Sequence, residues 1–129
     1  MTQEWRRVDA AVALAAHGEQ LAEHGGAMGV RDMNMLESAM ARPLNLVAYV
    51  DPDIADLAAS YAFGIARNHP FVDGNKRTAA VVSETFLLLN DHELDCSDVE
   101  LVTTFLALAA GELTLEALAA WFRVHIKAV

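Results

Sequence analysis

The run His69-Pro70-Phe71-Val72-Asp73-Gly74-Asn75-Lys76-Arg77 places an imidazole, a carboxylate, a turn glycine, an amide and two cations within nine residues. Those are the parts needed to handle a phosphate. A helix that begins at Gly74 or Asn75 leaves its first backbone N–H groups without intrahelical partners, with the positive end of the macrodipole behind them, and such an end binds anions. Gly74 allows close backbone approach and a sharp entry into the helix, and the Asn75 amide can donate a hydrogen bond. Arg77 offers a planar fork matched to phosphate oxygens, and Lys76 a point charge. Asp73 is the carboxylate of the cluster, and one carboxylate beside phosphate oxygens is a usual setting for Mg²⁺. His69 precedes the turn, and histidine is the side chain suited to accept a proton from an attacking hydroxyl near neutral pH. Phe71 is expected to anchor in the core and hold the loop still. The chemistry of the set is phosphoryl or nucleotidyl transfer, in which positioning and charge stabilisation carry most of the catalysis.

The elements around this run read as helices almost throughout, because apolar residues recur at spacings of three and four and no strand pattern is evident. A first helix runs from an Asp9 cap to about His24, where Gly25-Gly26 stops it. A second opens near Asp32 and is expected to end ahead of Pro43. Leu44 to Pro52 reads as extended or irregular, a possible flap or hairpin arm. A third helix starts near Asp53 and reaches Arg67-Asn68, just before the run. The fourth, Asn75 to about Asn90, is apolar on most sides and belongs in the middle of a bundle. Ser97 and Glu100 form a capping box for a fifth helix that Gly111 closes, and Thr114 caps a last one. The expected fold is therefore all-α, a compact bundle of about six helices around a central buried helix following the motif loop, in one domain over residues 1–129.

Composition limits the partners. The 129 residues include 54% hydrophobic and 21% charged ones, ample for one core, and a single cysteine, Cys96, which cannot form an internal disulfide. No apolar run has the length or flanks of a membrane span or signal peptide, so a cytoplasmic protein with no membrane contact is expected. A net charge of −9 argues against direct binding of nucleic acid. Arg42, Arg67, Lys76 and Arg77 nonetheless lie in or near the motif region, which favours a small anion. Arg42, Asn45 and Arg67 are further candidates to line its site. His17 and His24, two turns apart without a third ligand, read poorly as a metal site. His92 and His125 read as solvated, and Met28, Met33, Met35 and Met40 as fillers of core gaps.

The nine-residue run resembles the signature of the Fic superfamily, and within it the death-on-curing (Doc) toxin branch. Val30-Arg-Asp-Met-Asn-Met-Leu-Glu-Ser-Ala-Met-Ala-Arg-Pro43 is similar to that branch too, so the likeness covers most of the chain. It implies His69 as base, Asp73 as the Mg²⁺ ligand, and Gly74, Asn75, Lys76 and Arg77 as the anion hole for ATP. Adenylyl-transferring Fic enzymes usually carry a glycine where this chain has Lys76, and a second arginine where it has Ala80. Both departures are Doc-like. They imply a kinase that transfers the γ-phosphate to a Ser or Thr hydroxyl of a translation factor, elongation factor Tu in that branch, and so a growth-arresting toxin. Adenylyl transfer is the alternative activity, and a non-catalytic binding module the alternative class. No Ser/Thr-x-x-x-Glu-Gly/Asn self-inhibitory string occurs. Inhibition is then expected from a separate Phd-like antitoxin, whose disordered tail would fold into an apolar groove.

Overall fold

Residues 4–129 are described by a computed structural model in which six helices and one small sheet form the fold among those residues. The helices are α1 (Ala10–His24), α2 (Met33–Tyr49), α3 (Ile54–Asn68), α4 (Asn75–Leu89), α5 (Asp98–Ala109) and α6 (Leu115–His125). Their starts follow side-chain chemistry: Asp9, Asp32, Asp53, Ser97 and Thr114 each accept a backbone N–H of the first turn. Such caps satisfy donors that otherwise have no partner. Both α3 and α5 carry full capping boxes, closed by Asp56 and Glu100. No described helix is long and apolar enough to cross a membrane.

The motif loop joins the two helices at the centre of the fold. Of these α3 is the more enclosed, buried on nearly every side and packed against α2, α4 and α6. Its Ala55, Ala58, Ala59, Ala62 and Ala66 keep the helix thin, so neighbouring backbones come close. α4 packs against α3 on one side and α1 on the other, burying Ala79, Val82, Phe86 and Leu87. Arg123 of α6 grips the start of α3, with Nε 2.8 Å from Asp53 Oδ2 and Nη2 3.0 Å from Asp56 Oδ1. The guanidinium holds the Asp53 carboxyl down to about 2.

Two elements depart from the sequence-based expectation. α2 does not end ahead of Pro43 but runs through it to Tyr49, so Leu44 to Tyr49 is helical rather than a flap or hairpin arm. An interior proline removes one helical hydrogen bond and crowds the carbonyl four residues earlier, at a cost of roughly 3 kcal/mol. Tertiary packing outweighs that here, because Leu36, Ala39, Met40 and Pro43 are all buried. The crowded carbonyl belongs to Ala39, which faces Gly64 of α3. A Cβ added at Gly64 would stand 3.1 Å from the Ala39 Cα, Cβ and carbonyl oxygen. Gly64→Ala is therefore expected to force α2 and α3 apart and destabilise the fold by about 1–3 kcal/mol, read as a lowered melting temperature.

The second departure is a sheet of two antiparallel strands, β1 (His92–Leu94) and β2 (Ile126–Ala128), paired Glu93 to Lys127. Segments of three residues are too short to show a period of two. Of the four methionines expected to fill core gaps, Met40 is buried, whereas Met28, Met33 and Met35 are exposed, Met28 at 83%.

His125, expected to be solvated, bridges α6 and α5. Its Nδ1 lies 2.8 Å from the Trp121 carbonyl and its Nε2 2.9 Å from Glu100 Oε2. Both partners only accept, so both bonds form together only with the doubly protonated ring. The Trp121 carbonyl, aided by Glu100 and the nearby Asp95, raises the His125 pKa above its ordinary value against the opposing effect of burial. A raised histidine contributes its full stability below the unfolded value near 6.5 and loses it as pH climbs through the folded one. Wild type should thus lose more in melting temperature as pH is raised from about 6 into the alkaline range than a His125→Gln variant does. Equal losses would contradict the bridge.

Candidate active site

The motif loop is held as a rigid bridge between α3 and α4. His69 terminates α3 in the left-handed region at φ 48°, its N–H bonded to the Ile65 carbonyl. A non-glycine residue persists there only when its surroundings fix it. Arg31 does so, with Nε 2.7 Å from the His69 carbonyl and Nη2 2.9 Å from that of Asn68. The Arg31 and Asp32 N–H groups donate to the Pro70 carbonyl, and Val72 N–H to Gly29, so Val30 and Phe71 form an antiparallel bridge. Phe71 is 1% exposed and stacks on His17 of α1, ring centroids 3.8 Å apart. The loop is thereby pinned from below.

His17 has a second contact. Its Nε2 lies 2.8 Å from the Asp73 carbonyl, and because a carbonyl only accepts, Nε2 carries the proton. His17 therefore supports the motif loop, a part that sequence reasoning missed when it weighed this residue only as a metal ligand. Arg31 was missed as well. Neither is signalled locally, since their partners lie 56 and 38 residues away in the chain.

His69, Asp73, Gly74, Asn75, Lys76 and Arg77 line one open cavity of about 360 Å³, completed by Val72 and Ala109 of α5. Gly74 turns into α4 at φ 78°, and no side chain caps the helix, so its first N–H groups stay available. Lys76 and Arg77 are exposed, and among the described residues neither takes part in an ion pair. Asp73 Oδ1 accepts its neighbour's Gly74 N–H at 2.8 Å, and Oδ2 only a long contact from Ala27 N–H at 3.4 Å. Each oxygen keeps lone pairs free for a cation.

Asn75 has a different task from the one its amide suggests. The side chain is buried, with Oδ1 accepting from Phe71 N–H and Nδ2 donating to the Phe71 carbonyl, both at 3.0 Å. Its contribution to an anion site is the backbone N–H alone. Arg42 and Arg67 do not line the cavity, nor does Asn45; both guanidiniums lie over the Phe63 ring, 5.4 and 5.5 Å from its centroid. Ala80 opens instead on a neighbouring groove of about 340 Å³, which Lys76 and Arg77 share with Val102, Phe105 and Leu106 of α5.

A histidine-aspartate loop feeding a bare helix start at the heart of a helical bundle defines a fold and site class, and the chain belongs to the Fic/DOC family, whose pattern it matches over residues 7–87. Among curated proteins, the chain is similar to "Toxin Doc" of Mycolicibacterium smegmatis, 47% identical over 72 residues, which cover 54% of this chain and 55% of that protein. It is also similar to "Protein kinase doc" of Escherichia phage P1, 32% identical over 107 residues, 82% of this chain and 84% of the phage protein.

Proposed function

We propose that the protein is the toxin of a toxin–antitoxin pair and acts as a kinase that moves the γ-phosphate of ATP to a Ser or Thr hydroxyl on a translation factor. The observation that carries this reading is the uncapped start of α4, with unpaired Lys76 and Arg77, opening on the same cavity as His69 and Asp73. Backbone N–H groups of residues 75–77 and the Arg77 fork bind the phosphates, and Lys76 neutralises further charge. His69 takes the proton of the attacking hydroxyl. The site fits Mg²⁺ only in company with phosphate and water oxygens, since among the described residues no three His, Cys, Asp or Glu side chains converge. Asp73 would hold that ion, which supplies charge neutralisation to the transferring group when bound.

The names of the similar proteins support the toxin and kinase parts of the reading. Elongation factor Tu is the proposed target, by the likeness of the motif to the Doc branch. A Phd-like antitoxin is the proposed inhibitor, and the apolar groove between α4 and α5 offers its tail a seat beside Arg77. Expression of the chain in a bacterial host tests the proposal. Growth and incorporation of a labelled amino acid should stop within minutes to hours of induction, and continued growth with folded protein accumulating would contradict it.

A further inference from the structure

The chain has 18 acidic and 9 basic residues, yet among the described residues most of the cations find no carboxylate. Arg123 and Lys127 find one. Arg42 of α2 and Arg67 of α3 do not: among the described residues neither is in an ion pair, and both are exposed. They are held instead by one half-buried ring, each guanidinium carbon within 5.5 Å of the Phe63 centroid. Cation–π contact restrains the stems and leaves the N–H forks free for an anionic partner.

The residues around the pair have interface character. Met35, Arg42 and Tyr49 recur at intervals of seven along one side of α2, with Met35 41% and Tyr49 86% exposed. Methionine, tyrosine and arginine are the residue types that interface cores favour. This surface reaches the rim of the catalytic cavity. Arg67 lies two residues before His69, and a Cβ at Gly111 would stand 3.6 Å from its Nη1, two residues beyond the cavity-lining Ala109.

We infer that Arg42 and Arg67, clamped on Phe63 and flanked by Met35 and Tyr49, form the docking surface for an acidic segment of the phosphoacceptor protein. The inference rests on the kinase reading but concerns residues outside the cavity. The clamp pairs with carboxylates of the target and brings the acceptor hydroxyl to His69, so it governs capture of the protein and not binding of ATP. Rim charges of this kind act through encounter and are weakened by salt.

Steady-state phosphotransfer to elongation factor Tu with the Arg42→Glu/Arg67→Glu double variant tests this, with Arg42→Gln/Arg67→Gln used if the first fails to melt cooperatively. The KM for the protein acceptor should rise about tenfold or more and lose its salt dependence, while kcat and the KM for ATP stay within about twofold. An unchanged acceptor KM overturns the inference, and a matching rise in the KM for ATP overturns it in favour of a nucleotide contact. If wild type transfers no label to this acceptor, the target assignment fails separately. Growth arrest then decides: arrest lost on charge reversal supports the docking surface, arrest retained overturns it, and no arrest by wild type overturns both readings.

Discussion

His69→Ala is expected to lower phosphotransfer by about two to four orders of magnitude while leaving the melting temperature within about 2 °C of wild type. The loss is chemical because the imidazole is exposed in the cavity and the fold does not use it for packing. What the fold uses at this position is backbone: the His69 N–H on Ile65 and the His69 carbonyl on Arg31. Alanine keeps both. A left-handed backbone at φ 48° is somewhat less favourable for alanine than for histidine, which adds only a small penalty. Growth arrest should disappear with the activity. Arrest that survives His69→Ala would identify a binding module that retains the anion site without the chemistry.

Phe71→Ala should have the opposite signature, a large fall in stability that takes activity with it. The ring is 1% exposed, stacked within 6° of parallel on His17, and the residue's backbone is fastened by both Asn75 contacts. Emptying such a site costs about 3–5 kcal/mol, a large part of the stability of an ordinary domain. A fall of more than about 10 °C in melting temperature is expected. Because the His17 ring also carries the Asp73 carbonyl, the cavity loses its floor and the carboxylate its position. Phe71→Leu, which keeps most of the volume, should recover most of the stability and less of the activity. A loss of under about 3 °C for Phe71→Ala would show that the loop is anchored elsewhere.

Helix starts were legible in the sequence because their signals are local. Asp9, Asp53, Ser97 and Thr114 each stand three residues before the N–H they accept, inside the window where an apolar stripe begins. The convergence of His69, Asp73 and Lys76 on one cavity was legible for the same reason, since a turn between two helices confines nine consecutive residues to one place. What escaped depends on distance along the chain. Pro43 reads as a stop until Gly64 and the buried face of α2 are seen to hold the helix together around it. Arg31 and His17 reach the loop across long separations, and no spacing marks them. Asn75 illustrates the finer difficulty: its type fits a ligand contact, but burial and two bonds to Phe71 commit it to the scaffold.

Transfer of label to elongation factor Tu from ATP labelled at the γ position, run beside ATP labelled at the α position, bears most directly on what the helix start at Gly74 to Arg77 does. Lys76 lines the cavity and Ala80 the neighbouring apolar groove, and it is by the likeness to the Doc branch that the kinase reading takes these two positions as marks of terminal-phosphate transfer. The expected result is label on the acceptor from the γ position only, dependent on Mg²⁺ and abolished by His69→Ala. Label from the α position only would contradict the kinase reading and establish adenylyl transfer in its place.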